Sequence, residues 1–251
     1  MRISKLAMSF VSVTLLAIFF SGTLNAQAYS NPYASVTPWA QLPNGRTFGA
    51  VGDTDVDPDG AHVWAVIRCD AIAPDRFGDE CVDSDLDSVI KFNMAGEVVE
   101  SFGGGMFIWP HGIDVDPDGN VWVTDAVNSG RIPDGDERGH IVVKFSPTGD
   151  VLMTLGTPGE SGNGANHFTS PADVVVGDNG NVFIADGHYE NGNSRVAKFD
   201  RNGNLVKEWG KTGYGPGEFR VLHTIAIGEF QKSFMMRLAQ DNGGVFVDLG
   251  R

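Results

Sequence analysis

The sequence has little positive charge, little cysteine and no stretch with the spacing of an amphipathic helix. Lysine and arginine total 18 against 32 aspartates and glutamates, which gives a formal net charge of −14. So acidic a surface repels phosphate groups and argues against nucleic acid and anionic lipid as partners. An acidic surface favours the binding of metal cations, or it serves only to keep the protein soluble. The lack of helical periodicity favours an all-β fold.

Residues 1–28 have the composition of a secretory signal peptide. Arg2 and Lys5 give a basic start, an apolar run spans 8–20, and small residues at 24–28 form two cleavage-type triplets. The apolar run is short for a membrane span, and a single membrane anchor is the alternative interpretation. We expect cleavage, a secreted or periplasmic protein and no membrane contact afterwards. Loss of the two basic residues makes the net charge about −16.

The two cysteines, Cys69 and Cys81, enclose a polar loop. In an exported chain this pair predicts a disulfide that staples one loop. A metal site built from cysteine and histidine is the alternative, but neither cysteine has a further ligand at suitable spacing nearby.

One sequence unit recurs along the chain, and its clearest copy is 113–125. Other copies lie at 54–66 and 173–186, and a fourth begins at 223–227. Each copy is a short β run, a polar turn and a second β run. Asp-Gly or Asn-Gly in the turn supplies the positive φ angles that a tight hairpin needs.

A second hairpin follows each of the first three copies, at 89–102, 142–153 and 196–209. Each unit is therefore four antiparallel strands, and the spacing of His111 and His223 gives about 56 residues per unit. Four strands at such a period predict a β-propeller over 51–251, preceded by an N-terminal extension at 29–50.

The predicted propeller is incomplete, because known rings have roughly 4 to 8 blades. Only about four blades are present: three complete units and the start of a fourth, which leaves the pattern at 228–237 and resumes it at 241–248. We expect a truncated product, with unusual closure by the tail as the alternative. Open blade edges would favour self-association.

The Asp-x-Asp-x-Asp-Gly pattern also resembles a calcium loop. The twelfth position is Val66 when counted from Asp55, and Asp125 when counted from Asp114. Neither is the bidentate glutamate of such a loop, and flanking helices are missing. Hairpin turns explain these aspartates better.

Two of the six histidines are candidates for chemistry. His62, His140 and His167 fall in turns and loops and are expected to be structural or exposed. His111 and His223 each precede the innermost strand of a unit, where side chains face the channel of a propeller. Neutral imidazole suits zinc, so these two predict a metal site. Satisfaction of backbone groups around the channel is the alternative.

Three segments resemble peptidyl-α-hydroxyglycine α-amidating lyase, namely 107–113, 166–174 and 216–224. That family is a six-bladed NHL-repeat propeller that cleaves a peptidyl-α-hydroxyglycine into a peptide amide and glyoxylate. The resemblance covers about 51–227. It implies an all-β NHL propeller acting on a small-molecule or peptide substrate.

The resemblance also implies site residues. Three channel histidines hold zinc in the family; His111 and His223 match two of them, and the third belongs to a unit beyond this chain. Arg68 matches the catalytic arginine. Tyr189 matches the catalytic tyrosine that acts as general base, with His188 as the alternative occupant of that position.

Calcium is the second metal that the resemblance implies, bound through backbone carbonyls at positions that match Thr54 and Ile113. Two other functions stay open. One is a non-catalytic NHL propeller that presents a face to protein or polysaccharide. The other is a calcium-dependent lactonase, although that class uses acidic ligands and none stands at the matched histidine positions.

Overall fold

The computed structural model describes residues 34–70, 79–190 and 192–227. The predicted signal peptide and the chain after 227 lie outside these ranges. Within them, no helix is long and apolar enough to cross a membrane. Twelve strands form three four-stranded sheets. The strands are β1 Val51–Val56, β2 His62–Ile67, β3 Val89–Asn93, β4 Val98–Phe102, β5 Pro110–Val115, β6 Val121–Asp125, β7 Val142–Phe145, β8 Val151–Leu155, β9 Pro171–Val176, β10 Val182–Asp186, β11 Arg195–Phe199 and β12 Leu205–Trp209.

Each sheet is a propeller blade whose strands pair antiparallel in sequence order. The prediction of an all-β propeller of four-stranded blades is therefore confirmed. Three blades are complete in the described part of the chain. Residues 223–227, where a fourth unit was predicted, carry no strand there. The predicted disulfide between Cys69 and Cys81 is also present, with 5.4 Å between the two Cα atoms.

The inner hairpin of each blade turns on the predicted glycine. Gly119 between β5 and β6 has φ of +82°, and its amide donates to the Asp116 carbonyl at 2.8 Å. Residues with a side chain rarely adopt this angle, so the Asp-Gly pair fixes the hairpin and its register.

A buried aspartate joins the strands of the second blade. The Asp116 carboxylate accepts from Trp122 Nε1 at 3.3 Å and forms an ion pair with Lys144 Nζ at 3.0 Å. The first blade repeats this arrangement at Asp57. Burial opposes ionisation there, yet hydrogen bonds led by Lys91 lower the pKa of Asp57 to about 2.

The third blade departs from this arrangement because Gly177 stands where the other blades have aspartate. Lys198 still lies over the aromatic ring of Phe183, with Nζ 5.3 Å from the centroid. The cation–π contact is thus kept in all three blades, whereas the carboxylate is not.

The blades pack face to face through apolar layers. Between the first two blades lie Trp64, Val66, Val89, Phe102, Phe107, Ile113, Val121, Val123, Ile141, Val143 and Phe145. A second layer of the same kind joins the second and third blades. Trp39 and Phe48, from the predicted N-terminal extension, pack on the outer face of the first blade. Burial of these side chains is the main driving force for assembly of the blades.

The inner strands of neighbouring blades are joined by aspartate side chains that accept from backbone amides. Asp53 and Asp55 of β1 accept from Ile113 and Val115 of β5, at 3.3 and 2.8 Å. Two further bonds of the same kind follow along the chain: Asp114 accepts from Val176 at 3.1 Å, and Asp173 accepts from Ile225 at 2.8 Å. We call these four contacts the inter-blade rungs.

The rungs bring carboxylates close together in a region with little water. Burial raises the pKa of Asp114 to about 7, and the charge of Asp55 adds to the effect. Burial likewise raises the pKa of Asp173 to about 7, with Asp53 contributing. Folding therefore favours the protonated form of both groups.

Replacement of Asp114 by Asn should flatten the pH dependence of stability. The folded protein keeps this proton up to about pH 7, whereas an unfolded chain releases it near pH 4. The free energy of unfolding should therefore fall as the pH rises from 5 to 8, since the native state binds more protons there. Asp114→Asn should remove about 1–3 kcal/mol of that fall, at about 1.4 kcal/mol per pKa unit. Urea unfolding at both pH values in EDTA measures the effect.

The matched control is Asp118→Asn, which removes the same charge from an exposed turn. We expect this variant to keep the pH dependence of the unchanged protein. If Asp114→Asn keeps it as well, the buried carboxylate of Asp114 does not contribute as described.

Candidate functional site

Three imidazole rings converge at one end of the inner strands. His111 is the second residue of β5, His188 follows β10, and His223 lies in the segment that follows β12. The ring centroids are 4.6, 4.7 and 4.8 Å apart. One nitrogen from each ring lies within 4.8 Å of the others, and no other group of three or more such ligands is found in the described residues. This geometry allows one metal ion to contact all three.

The structure thus brings together the two histidines expected from the sequence and adds a third. From the sequence, the third ligand was expected in a unit beyond this chain, and His188 was expected only as an alternative to Tyr189. The backbone amides of Gly187 and His188 both donate to the Ser170 carbonyl, at 3.0 and 3.2 Å. These bonds turn the chain after β10 so that His188 enters the cluster.

Hydrogen bonding fixes the tautomer of His111. Its Nδ1 lies 2.8 Å from the Ala172 carbonyl, which can only accept, so Nδ1 carries the proton. Nε2 is then free to bind a metal. Burial lowers the pKa of His111 to about 3, with the charges of the neighbouring His188 and Arg68 contributing to the shift. The ring is therefore neutral at pH 7, as a ligand must be.

His188 has a buried nitrogen without a partner. Its Nδ1 makes no hydrogen bond among the described residues. Burial lowers the pKa of this ring to about 4, with the charge of His223 contributing. An unpaired buried polar atom is costly and calls for a partner. A cation among the three rings would satisfy it, so the residues present fit a metal ion.

A buried aspartate positions the segment before His111. Asp125, the last residue of β6, accepts from the amides of Ile108 and Trp109 at 2.7 and 2.9 Å. The residue is fully buried, and burial raises its pKa to about 6. Asp186 at the end of β10 holds the segment before β9 in the same way.

Arg68 lies beside the cluster. Its guanidinium carbon is 3.7 Å from the centroid of the Trp109 ring, and Nε donates to the Pro110 carbonyl at 3.3 Å. Trp109 in turn packs against His188, with centroids 4.8 Å apart. Burial lowers the pKa of Arg68, and the ion pair with Asp79 opposes this. The predicted catalytic arginine is therefore a largely buried cation near the three imidazoles.

Tyr189, the predicted general base, also lies at the cluster. Its ring centroid is 4.7 Å from that of His188 and 6.1 Å from that of Trp109. Burial raises the pKa of Tyr189 above its usual value, while Arg131 and Arg68 oppose the shift. Without a further positive charge, the phenol of Tyr189 is protonated at pH 7.

The other predicted residues lie elsewhere. Thr54 and Ile113 occupy the neighbouring inner strands β1 and β5, and calcium binding by their carbonyls stays a prediction. His62 contacts Asp59 at 2.6 Å in an exposed turn. His167 pairs with Glu160 at 3.1 Å, and the buried His140 contacts the Ser129 hydroxyl at 3.1 Å.

Known proteins resemble the chain in sequence. The family model of the NHL repeat matches residues 107–132 and 168–199. Peptidyl-glycine alpha-amidating monooxygenase of Mus musculus is 34% identical over 67% of this chain and 16% of that protein. The probable peptidyl-alpha-hydroxyglycine alpha-amidating lyase pgal-1 of Caenorhabditis elegans is 32% identical over 72% of this chain and 51% of that protein. NHL repeat-containing protein 3 of Mus musculus is 36% identical over 47% of this chain and 33% of that protein.

The chain spans about half the length of the nematode lyase and about a sixth of the mouse monooxygenase. Among solved structures, the WD40 beta propeller domain of Doa1 gives a TM-score of 0.40 at 16% identity. It covers 63% of this chain and 40% of that chain.

Asp125→Ala should destabilise the fold more than substitution of an exposed aspartate in a hairpin turn. It leaves the amides of Ile108 and Trp109 buried without an acceptor, at an expected cost of about 2–4 kcal/mol. Asp178→Ala, in an exposed turn, is the control and should change stability by less than about 0.5 kcal/mol. Urea unfolding at pH 8 measures both. Equal stabilities would show that Asp125 does not hold this segment.

Proposed function

We propose, from the premise that the chain carries NHL repeats and is homologous to peptidyl-α-hydroxyglycine α-amidating lyases, that it is an exported, zinc-dependent lyase. Its substrate would be a peptidyl-α-hydroxyglycine, cleaved into a peptide amide and glyoxylate. The observation that carries the proposal is the convergence of His111, His188 and His223 beside Arg68 and Tyr189.

The reaction breaks the bond between the α-carbon and the amide nitrogen. The α-hydroxyl loses its proton, its oxygen forms the carbonyl of glyoxylate, and the expelled nitrogen takes up a proton. No oxidant is needed, since the hydroxyl is already present. The protein must therefore accept one proton, return one and hold the substrate carboxylate in place.

Zinc is the metal that this donor set fits best, because three neutral imidazoles with an open fourth position are typical of catalytic zinc sites. Bound there, zinc would act as a Lewis acid on the oxygen of the substrate. The Nδ1–H bond of His111 to Ala172 and the unpaired Nδ1 of His188 support this assignment. Calcium, bound by the carbonyls of Thr54 and Ile113, is proposed as a structural ion.

Tyr189 Oη would accept the hydroxyl proton and return it to the amide nitrogen. The raised pKa keeps this phenol protonated at pH 7, so by itself it has no phenolate with which to accept the proton. Positive charge at the three imidazoles would lower that pKa toward the working range, because an opposite charge nearby favours the ionised form. Tyr189 alone would then carry out both proton transfers, from the α-hydroxyl and to the amide nitrogen.

Arg68 would bind the carboxylate of the substrate. Its contacts to Trp109 and Pro110 hold the guanidinium without using all of its donors. Arginine suits this role because its planar fork matches a carboxylate in two places.

Export is supported by the Cys69–Cys81 disulfide, since such bonds persist in oxidising compartments. A second candidate function is a non-catalytic NHL propeller that serves as a binding scaffold for protein or carbohydrate. The similarity to NHL repeat-containing protein 3, whose name states no activity, favours this alternative.

Zinc binding should depend on His188 as strongly as on the two histidines found from the sequence. We expect one zinc per chain by metal analysis of the purified protein. His188→Ala should weaken binding about 100-fold or more in a chelator competition, because loss of even an outer-shell partner typically costs about 10- to 100-fold. His167→Ala is the matched control, because His167 pairs with Glu160 away from the cluster. Zinc that binds equally well to both variants would contradict the proposed ligand set.

Activity should be visible as glyoxylate release from an N-acyl-α-hydroxyglycine. Arg68→Gln and Tyr189→Phe should each lower kcat/KM about 100-fold or more, the usual effect of losing a charge-stabilising or proton-transferring group. Tyr214→Phe, at a side chain that is 83% exposed, should leave the rate unchanged. Stoichiometric zinc without any glyoxylate above the uncatalysed rate would favour the scaffold alternative.

A further inference from the structure

Two arginines beside the proposed site share one carboxylate. Arg68 Nη1 lies 2.8 Å from Asp79 Oδ1, and Arg131 Nη2 lies 3.2 Å from Asp79 Oδ2. Each oxygen of the carboxylate thus contacts a different guanidinium. Both guanidiniums flank the Trp109 ring, at 3.7 and 6.0 Å from its centroid.

Arg131 was not a candidate in the sequence analysis. It is the last residue of a 3-10 turn at Ser129–Arg131, in the long connection between β6 and β7. The corresponding connections of the other two blades differ from it in length. The turn is capped by Asn128, whose side chain accepts from the amide of Gly130 at 2.9 Å. Arg131 is therefore held at the mouth of the site by local structure.

Arg68 is held more firmly than the carboxylate that pairs with it. The Arg68 side chain is 12% exposed and is fixed by Trp109 and Pro110, whereas the Asp79 side chain is 52% exposed. Ion pairs with a half-exposed partner contribute little net free energy, since water and salt compete for the charges. A carboxylate from outside could therefore replace Asp79 without moving the guanidinium of Arg68, while the more exposed Arg131, 39% exposed, is free to follow it.

The Cys69–Cys81 disulfide nonetheless keeps Asp79 close to the two arginines. It stands two residues before Cys81, which is bonded to Cys69 next to Arg68. The Cys81 amide also donates to the Ile108 carbonyl at 2.7 Å, on the segment that leads to Trp109. The tether gives the Asp79 carboxylate a high effective concentration at the two arginines.

We propose that Arg68 and Arg131 form a clamp for the terminal carboxylate of the substrate, and that Asp79 occupies this clamp when substrate is absent. Arg131 is then a specificity-determining residue that selects ligands with a free carboxylate. The inference rests on the proposed function for the identity of the ligand, a hydroxyglycine carboxylate. It adds that Asp79 competes with the substrate carboxylate for the two arginines and so lowers the affinity of the site for substrate.

The acidic surface supports a selective role for this pair. With a formal net charge of −14, the chain repels anions in general. The guanidiniums of Arg68 and Arg131 outweigh this general repulsion at one place on the surface. Because each guanidinium can bind one oxygen, the two together favour a planar anion with two oxygens, such as a carboxylate. Glu80 pairs with Arg131 alone, at 3.2 Å, and therefore does not bridge the clamp.

The test is calorimetric titration of the full chain with N-benzoylglycine, a non-reacting carboxylate, and with its amide. Asp79→Asn removes the competitor and should tighten binding of N-benzoylglycine about 2- to 5-fold, as expected for loss of an exposed ion pair. Arg131→Gln should weaken that binding about tenfold, and Arg131→Lys should restore part of it. The amide should bind weakly to every variant.

The matched control is Asp83→Asn, which removes the same charge from an exposed position nearby. It should leave the affinity for N-benzoylglycine unchanged, which separates competition from a general effect of charge. The tighter binding expected of Asp79→Asn cannot result from misfolding. Unchanged or weaker binding in that variant, or tightening as large in Asp83→Asn, would overturn the proposal.

The titration with N-benzoylglycine and the glyoxylate assay test the clamp and the lyase activity separately. Selective binding of N-benzoylglycine without glyoxylate release would leave the clamp standing and remove the lyase. Glyoxylate release with an affinity that is indifferent to Asp79 and Arg131 would leave the lyase standing and remove the clamp.

Discussion

The arrangement of this protein depends on aspartate carboxylates that accept from backbone amides. Within a blade, neighbouring strands satisfy one another's backbone groups, but the inner strands of adjacent blades form no such ladder. The inter-blade rungs of Asp53, Asp55, Asp114 and Asp173 supply directional bonds at these boundaries. Apolar packing brings the blades together, and the rungs set the register in which the inner strands meet. The cost is a group of carboxylates that repel one another in a region with little water.

Aspartates that accept from backbone amides also hold the candidate site in place. Asp125 ties down the segment before β5, and Asp186 ties down the segment before β9, each by accepting from two consecutive amides. These bonds place Trp109 and Ser170, which then position Arg68 and His188. The side chains proposed for chemistry are thus held by strands and by buried bonds behind them, as a preorganised site requires.

Much of the fold could be predicted from the sequence, because each blade repeats one pattern of turns and alternating residues. His111 and His223 were found for the same reason, since they stand at the same position of different units. His188 was named from the sequence only as an alternative to Tyr189, and its place among the imidazoles was missed because the residues after Gly187 interrupt the repeat. The pairing of Asp79 with Arg131 was missed because two irregular loops, 52 residues apart, meet only in the folded chain. Repetition therefore predicts the strands and the two equivalent histidines, whereas His188, Arg131 and Asp79 lie in segments that differ between the units.

The rungs also have a direction. In every one, the carboxylate belongs to the earlier blade and the amide to the later one: β1 to β5, β5 to β9, and β9 to residue 225. During synthesis each acceptor is therefore made before its donor emerges. Each completed blade thus already carries the acceptors for the inner strand of the blade that is made after it.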